Sequence, residues 1–297
     1  MKPAKLWCYA DHKNWGLQLG RAAAKRGWDA ALFSNAATVK PAQGTLAFVH
    51  MHHEKTRESD KKLMQDLHAK GVRTIPGLVQ AYLYDDKVAQ AQAFHKWMPR
   101  THFIGTREAA LRIMQYEMQY PFISKAREGA ASYNVRIVRD EVQALHEINA
   151  VFGGMGLPLH RQQVQREYLL WQEFVADNDH DIRVIAIGKQ RMLLKRYVRS
   201  AEQPFASGSG KLEPIGNLAD PMIGSAYAFA DAFFKAEGET WCGIDLVFDH
   251  KAQRWRLLET TVGWTMAGYA KCTFFPDGRM GDRWCDVTLD EIEAGNL

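Results

Sequence analysis

Residues 121–138, PFISKAREGAASYNVRIV, decide how this chain is read. A short apolar run, Pro121 to Ser124, ends in Lys125, and a β-like run, Val135 to Val138, closes the stretch. Between them lies Gly129-Ala130-Ala131-Ser132, a loop nearly free of bulky side chains. Such a loop lets backbone N–H groups approach an anion closely, and a lysine at its edge neutralises the charge. Phosphate is the anion that suits it. The same letters also fit a plain hairpin with a solvated lysine, so the rest of the chain must separate the two readings.

The chain has 297 residues, 46% hydrophobic and 24% charged, which is the composition of a globular protein with two domains or two lobes. Its net charge of +4 is mild, and it contains no dense Lys/Arg run of the kind a nucleic-acid-binding arm carries. Nucleic acid is therefore not indicated as a partner. No apolar stretch approaches the ~18 residues of a membrane span, and the N-terminus, MKPAKLWCYADHKNW, lacks the apolar core of a signal peptide. Cys8, Cys242, Cys272 and Cys285 show no CxxC spacing and read as reduced thiols, so a cytoplasmic location is expected.

Residues 4–9, 28–33, 45–51 and 72–76 are predicted strands, and helices over 15–27 and 59–71 alternate with them. That rhythm predicts a parallel, Rossmann-like α/β layer over residues 1 to about 78. No GxGxxG follows its first strand, so it carries no dinucleotide fingerprint. From residue 85 the pattern changes to an α+β body with antiparallel strands. Helices are predicted over 86–97, 106–118, 140–152 and 222–238. YLLWQEFV (168–175), DIRVIAIG (181–188) and RMLLKRYV (191–198) are expected to pair with one another, and FASGSGKLEPIG (205–216) reads as a linker. WCGIDLVFD and RWRLLETT form a hairpin through HKAQ, and the tail 280–297 reads as a lid or packing element.

Seven elements then fall in a telling order: DDK (85–87), PFISKAREGAAS (121–132), WQEFV (171–175), DIRVIAIG, LLKRYVR (193–199), GIDLVF (243–248) and LLETT (257–261). Over roughly residues 80–270 this order resembles the ATP-grasp superfamily. The resemblance implies a Rossmann-like pre-ATP-grasp domain over 1–84. It implies an ATP-grasp domain over 85–297, with subdomains of about 85–168 and 169–297 and the nucleotide between them. The implied activity is ATP-dependent ligation of a carboxylate to an amine through an acylphosphate. A small-molecule kinase using the same site is one alternative, and a nucleotide-binding module with attenuated catalysis is another. The implied cofactors are ATP and Mg²⁺, with Mn²⁺ as a substitute, and the implied partners are a small-molecule or peptide carboxylate and an amine acceptor.

Residue by residue, the resemblance assigns Lys87 and Lys125 to the α- and β-phosphates, a task suited to ammonium point charges. Gly129 and Ser132 belong to the loop 129–134 that covers the phosphates. There Ala130, Ala131 and Asn134 stand where the family often has glycine, and asparagine tolerates positive φ. Backbone groups of Glu173 and Val175 would meet the adenine edge, Phe174 would flank the ring, and Asp181 or Asp179 would reach the ribose. Arg183 and one of Lys195 or Arg196 would clamp the transferred phosphoryl group. Strand alternation puts those last two on opposite faces. Asp245 and Glu259, each in an apolar strand, would hold Mg²⁺, with Thr261 where the family usually has asparagine. Without metal the two carboxylates are expected to repel and raise one pKa. His50, Met51, His52 and His53 alternate in direction on a strand, and they read as lining the substrate side rather than binding metal.

Overall fold

The computed structural model describes residues 3–51, 57–200, 204–264, 273–274, 280–281 and 284–297. The first layer is β1 (Lys5–Tyr9), α1 (Trp15–Lys25), β2 (Ala30–Phe33), β3 (Thr45–Phe48), α2 (Arg57–Ala69) and β4 (Arg73–Ile75). Its four strands are parallel in the order β2-β1-β3-β4. The apolar strand residues Leu6, Cys8, Leu46 and Phe48 are buried against Leu19, Ala23 and Leu67 of the helices. Gly16 is required where α1 leaves β1, since a Cβ there would sit 1.9 Å from the Tyr9 carbonyl oxygen. Gly27, at φ +70°, ends the turn after α1.

Two short helices follow, α3 (Leu78–Leu83) and α4 (Lys87–Ala93). The sequence predicts one helix over 86–97 and misses α3. Asp86 starts α4 by accepting the N–H groups of Val88 (3.1 Å) and Ala89 (3.0 Å).

The second layer comprises β5 (Thr101–Ile104), α5 (Arg107–Tyr116), β6 (Phe122–Lys125), β7 (Val135–Val138), α6 (Glu141–Phe152), the short pair β8 (Leu157–Pro158) and β9 (Val164–Gln165), and β10 (Leu169–Glu173). Its antiparallel sheet runs β5-β10-β6-β7, with Phe122 and Trp171 buried beneath α5 and α6. This corrects two expectations. YLLWQEFV does not pair with DIRVIAIG, and the change of sheet comes after Glu173 rather than near residue 168. The reason is local burial: Leu169 to Gln172 are covered on both faces, as only a central strand can be.

The third layer holds β11 (His180–Ile187), β12 (Gln190–Tyr197), β13 (Leu212–Pro214), α7 (Pro221–Glu237), β14 (Trp241–Asp249), β15 (Arg254–Thr261), β16 (Thr273–Phe274), β17 (Met280–Gly281) and α8 (Trp284–Glu293). The sheet runs β15-β14-β11-β12-β16-β17, with β13 also on β12, so part of the expected linker is a strand. Helix α7 buries Ile223, Ala230 and Phe233 on one face of this sheet. The tail helix α8 is a packing element. Arg26, which caps the C-terminus of α1, grips Asp286 (2.7 Å) and Asp290 (2.5 Å), while Glu291 accepts from Lys189 N–H (2.8 Å) and Gln190 (2.6 Å). Among the described residues no helix is long and apolar enough to cross a membrane.

Candidate active site

A cleft of about 820 Å³, counting its open mouth, lies where the second and third layers face each other. That is within the range of a small-molecule site. Strand register builds its charged floor. Asp181 and Arg183 are two residues apart on β11 and so share a face. Arg196 on β12 lies opposite Asp181, and Asp245 on β14 lies opposite Arg183. The four side chains interlock. Arg196 meets Asp181 through two hydrogen bonds (2.6 and 2.5 Å) and reaches Asp245 at 2.7 Å. Arg183 meets Asp245 through two more (2.6 and 2.8 Å). Burial pushes the Asp245 carboxyl up, but the Arg183 and Arg196 guanidiniums outweigh it and hold the group well below the usual carboxylate range.

This overturns the expectation that Asp245 and Glu259 repel each other in the unliganded protein. Glu259 lies opposite Asp245 across the β14–β15 pair, where a register shift follows, and its Oε1 is 3.3 Å from Lys87 Nζ. Each carboxylate already faces a cation. Asp181, expected at the ribose, has both oxygens engaged by Arg196. Lys195 is not among the residues lining the cleft; it lies opposite Glu213 on β13, with its ammonium beside the Tyr197 ring. Alternation therefore gives the cleft Arg196 and withholds Lys195.

The two lysines differ in their surroundings. Burial alone would lower the Lys87 pKa, but Glu259 and Asp85 (3.6 Å) outweigh it and hold the group above its ordinary value. Lys125, at the end of β6, is pushed down to about 8 by burial and by the nearby Lys87 charge, against the pull of Glu259. Its Nζ has the Leu258 carbonyl at 3.4 Å.

The loop between β6 and β7 arches over this end. Gly129 donates its N–H to Asp85 (2.9 Å), and its carbonyl accepts from Lys87 Nζ (2.7 Å). The left-handed residues of the loop are Gly129 (φ +121°), Ala131 (φ +54°) and Ser132 (φ +59°), not Asn134. Asn134 instead works through its side chain. It accepts the His160 N–H (2.8 Å) and donates to the Glu128 carbonyl (3.3 Å). Ser132 lines the cleft and donates to the Ser207 carbonyl (3.4 Å).

The cleft also has an apolar lining, to which Ile123, Val135, Phe174, Val198, Val247 and Leu258 contribute. The chain from β10 to β11 forms its edge. Glu173 keeps its N–H on the Arg100 carbonyl (2.9 Å). Among the described residues no acceptor meets the Val175 N–H. Asn178 braces this edge to β14, donating to the Phe248 carbonyl (3.0 Å) and accepting its N–H (3.2 Å).

Thr261 is not among the residues lining the cleft. Its Oγ1 donates to the Gly263 carbonyl (2.9 Å) and accepts the Gly263 N–H (3.2 Å), closing the bend that ends β15. Asp245 and Glu259 are two carboxylates at paired positions lining the cleft, of the hard-oxygen type a divalent cation takes. Asp245 is engaged by Arg183 and Arg196 and Glu259 by Lys87, so a cation would have to displace those partners. His50 stacks on Trp15 at 4.4 Å, with Nδ1 3.8 Å from Asp11, while His52 and His53 lie outside the described residues. Among the described residues no cluster of three His, Cys, Asp or Glu side chains could hold a metal. Sequence reasoning missed Asp85 and Asn178 as organisers of the site. Asp85 stood in the quoted DDK, but nothing distinguished it from Asp86.

Neither a family model nor a curated protein matches the sequence. Solved structures do match over the full length. A RimK domain protein ATP-grasp from Sphaerobacter thermophilus DSM 20745 aligns with a TM-score of 0.61 at 16% identity, covering 98% of this chain and 100% of that one. The ATP-grasp ligase PsnB, complexed with a phosphomimetic variant of its minimal precursor, Mg and ADP, aligns at 0.60 and 14%, with 100% of both chains covered. D-alanine–D-alanine ligase from Bacillus anthracis, complexed with ATP, aligns at 0.63 and 12%, covering 99% of this chain and 98% of that one. The chain has the ATP-grasp fold.

Proposed function

We propose that this protein is an ATP-dependent ligase that joins a carboxylate to an amine through an acylphosphate. The observation that carries the reading is one cleft whose lining combines apolar side chains with a group of cations. The apolar lining near Val175 suits a purine, and Lys87, Lys125 and Arg196 line the same cleft to receive phosphates, with Arg183 reaching it through its pair with Asp245. On this reading residues 1–84 are the preceding α/β domain and 85–297 the ATP-grasp domain. Glu173 and Val175 hold the adenine edge, and Phe174 covers the ring.

Lys125 and Lys87 neutralise the α- and β-phosphates, and Gly129 and Ser132 close over them. Arg183 and Arg196 receive the charge that develops on the transferred phosphoryl oxygens. Mg²⁺ or Mn²⁺, held by Asp245 and Glu259, would neutralise phosphate charge when bound. A substrate carboxylate oxygen attacks the γ-phosphorus and ADP leaves. An amine then attacks the acyl carbon, phosphate leaves, and the amide forms with loss of a proton. The protein's part is positioning and charge compensation, with no covalent enzyme intermediate. The fold neighbours named above act on a peptide precursor in one case and on D-alanine in another, and we extend that to a small-molecule or peptide carboxylate and an amine here.

Two outcomes separate this from its rivals. ADP release should require both partners, tested with pools of amino acids and short peptides as carboxylates and hydroxylamine as the amine trap. Release with a hydroxyl acceptor and no amine would make the protein a kinase. The Thr261 hydroxyl, closed onto Gly263, favours a third reading, a binding module with weakened catalysis. Tight Mg·ADP binding with no turnover on any pool would establish it.

A further inference from the structure

Arg199 lies outside the cleft, beyond the end of β12, and its guanidinium joins two separate loops. Its Nη2 donates to the Ala131 carbonyl (2.9 Å) and to the Ser207 carbonyl (3.2 Å). Ala131 belongs to the loop that arches from β6 to β7, and Ser207 to the segment before β13. Both segments roof the cleft, which Ser132, Phe205, Ala206 and Ser207 line while Arg199 does not. The contact is tight. A Cβ on Gly208, itself at φ +76°, would come within 2.9 Å of the Ala131 Cβ and 2.8 Å of Arg199 Nη2.

We propose that Arg199 is a positioning residue that latches these two loops together and thereby sets how long a nucleotide stays bound. The claim rests on the nucleotide reading of the cleft. The loop between β6 and β7 has a second anchor, the grip of Lys87 and Asp85 on Gly129. That anchor is compromised when a ligand arrives, because Lys87 Nζ is one of the cations assigned to the phosphates. Among the described residues the Arg199 guanidinium is held by protein carbonyls that no phosphate would displace, so this anchor survives occupancy. Ala131 and Ser132 hold left-handed backbone without glycine's freedom, so the loop conformation leans on such external contacts. Losing a charged donor that serves two carbonyls should therefore act on the closed state and leave the open, ligand-accepting state alone.

The experiment follows fluorescent ADP with Mg²⁺ by stopped flow in wild type, Arg199→Ala and Arg199→Lys. Hydrogen exchange of amides 129–134 and 205–208 is followed in the unliganded proteins. We expect release about tenfold faster in Arg199→Ala, association within about twofold of wild type, and an intermediate release rate in Arg199→Lys. Amides of both loops should exchange faster in unliganded Arg199→Ala while the melting temperature holds. Unchanged release with unchanged exchange would overturn the latch, as would a general loss of melting temperature that slows association equally. If wild type binds no nucleotide, the reading of the cleft fails. The exchange data then decide by themselves whether Arg199 holds the loops.

Discussion

The floor of the cleft and the roof over it solve the same problem in opposite ways. On the floor, Arg183, Arg196, Asp181 and Asp245 are carried by three hydrogen-bonded strands and satisfy one another side chain to side chain. In the roof, charged groups such as Lys87 and Arg199 hold backbone carbonyls of loops. Buried charges are costly unless paired, so the floor is stable only as a set. A roof bound through single carbonyls can open one contact at a time. Damage to the floor should appear as lost stability, and damage to the roof as altered binding.

The largest effect should come from breaking the floor. Arg196→Met leaves Asp181 buried without its cation, and should lower the unfolding free energy of the unliganded protein by about 3–5 kcal/mol. Adding Asp181→Asn should recover most of that loss. Urea unfolding of the single and double variants is the measurement. An Arg196→Met protein as stable as wild type would mean the floor is not a mutually dependent set, and the contrast with the roof would collapse.

Next is Lys125, which bridges the two regions. Replacing it by Met should weaken ADP binding by about 10- to 100-fold, the scale of one charge-assisted contact. Its pKa of about 8 in the free protein adds a pH signature. Below pH 8 the ammonium is already charged and affinity should be flat. Above pH 8 the free protein must take up a proton to bind phosphate, so affinity should fall as pH rises, approaching tenfold per unit. Calorimetric titration from pH 7 to 10 tests this. In Lys125→Met that fall should vanish, and a fall that persists would assign the proton to another group.

A smaller effect is expected at the apolar lining. Val175→Pro deletes an N–H that serves no acceptor among the described residues and should cost about tenfold in nucleotide affinity. Glu173→Gln, an exposed side-chain change, should stay within about twofold. Equal losses from both, measured by titration with ADP, would move the base elsewhere in the cleft.

What the sequence revealed and what it hid follow from the same contrast. The strands that form the floor were legible, because apolar alternation marks them and isolates Asp245 and Glu259 as unusual polar positions. Their pairing was not legible. Register decides that Arg183 opposes Asp245 and Arg196 opposes Asp181, and register is a long-range outcome that turn lengths do not report. The repulsion expected between the two carboxylates failed for that reason, since cations from β11, β12 and α4 arrive first. Alternation did foresee that Lys195 and Arg196 diverge. In the roof, composition pointed to a loop and marked Asn134 as a residue that tolerates positive φ, whereas Ala131 and Ser132 adopt that conformation, with contacts to Arg199 and Ser207. The YLLWQEFV strand was misassigned because a central strand and a strand in a neighbouring sheet carry the same apolar pattern.

The smallest expected effect sharpens the boundary between floor and bend. Thr261 follows Glu259 on the same face of β15, so sequence spacing makes it a metal ligand, whereas its hydroxyl is closed onto Gly263 by two hydrogen bonds. The two assignments predict different losses. If Thr261 serves the bend, Thr261→Val should lower stability by about 1 kcal/mol, the net value of a hydrogen bond. Mg²⁺-dependent ADP affinity should then remain within about twofold. If it serves the metal, stability should hold while the Mg²⁺ dependence weakens. Glu259→Gln is the control, because its carboxylate faces both the cleft and Lys87. It should erase most of the Mg²⁺ dependence and, by releasing Lys87 from its partner, leave metal-free ADP binding equal or tighter. ADP titrations with Mg²⁺ and with chelator, alongside urea unfolding, separate the cases. A Thr261→Val protein that loses Mg²⁺ dependence as fully as Glu259→Gln would return the threonine to the metal site and place the edge of the floor one residue pair further along β15.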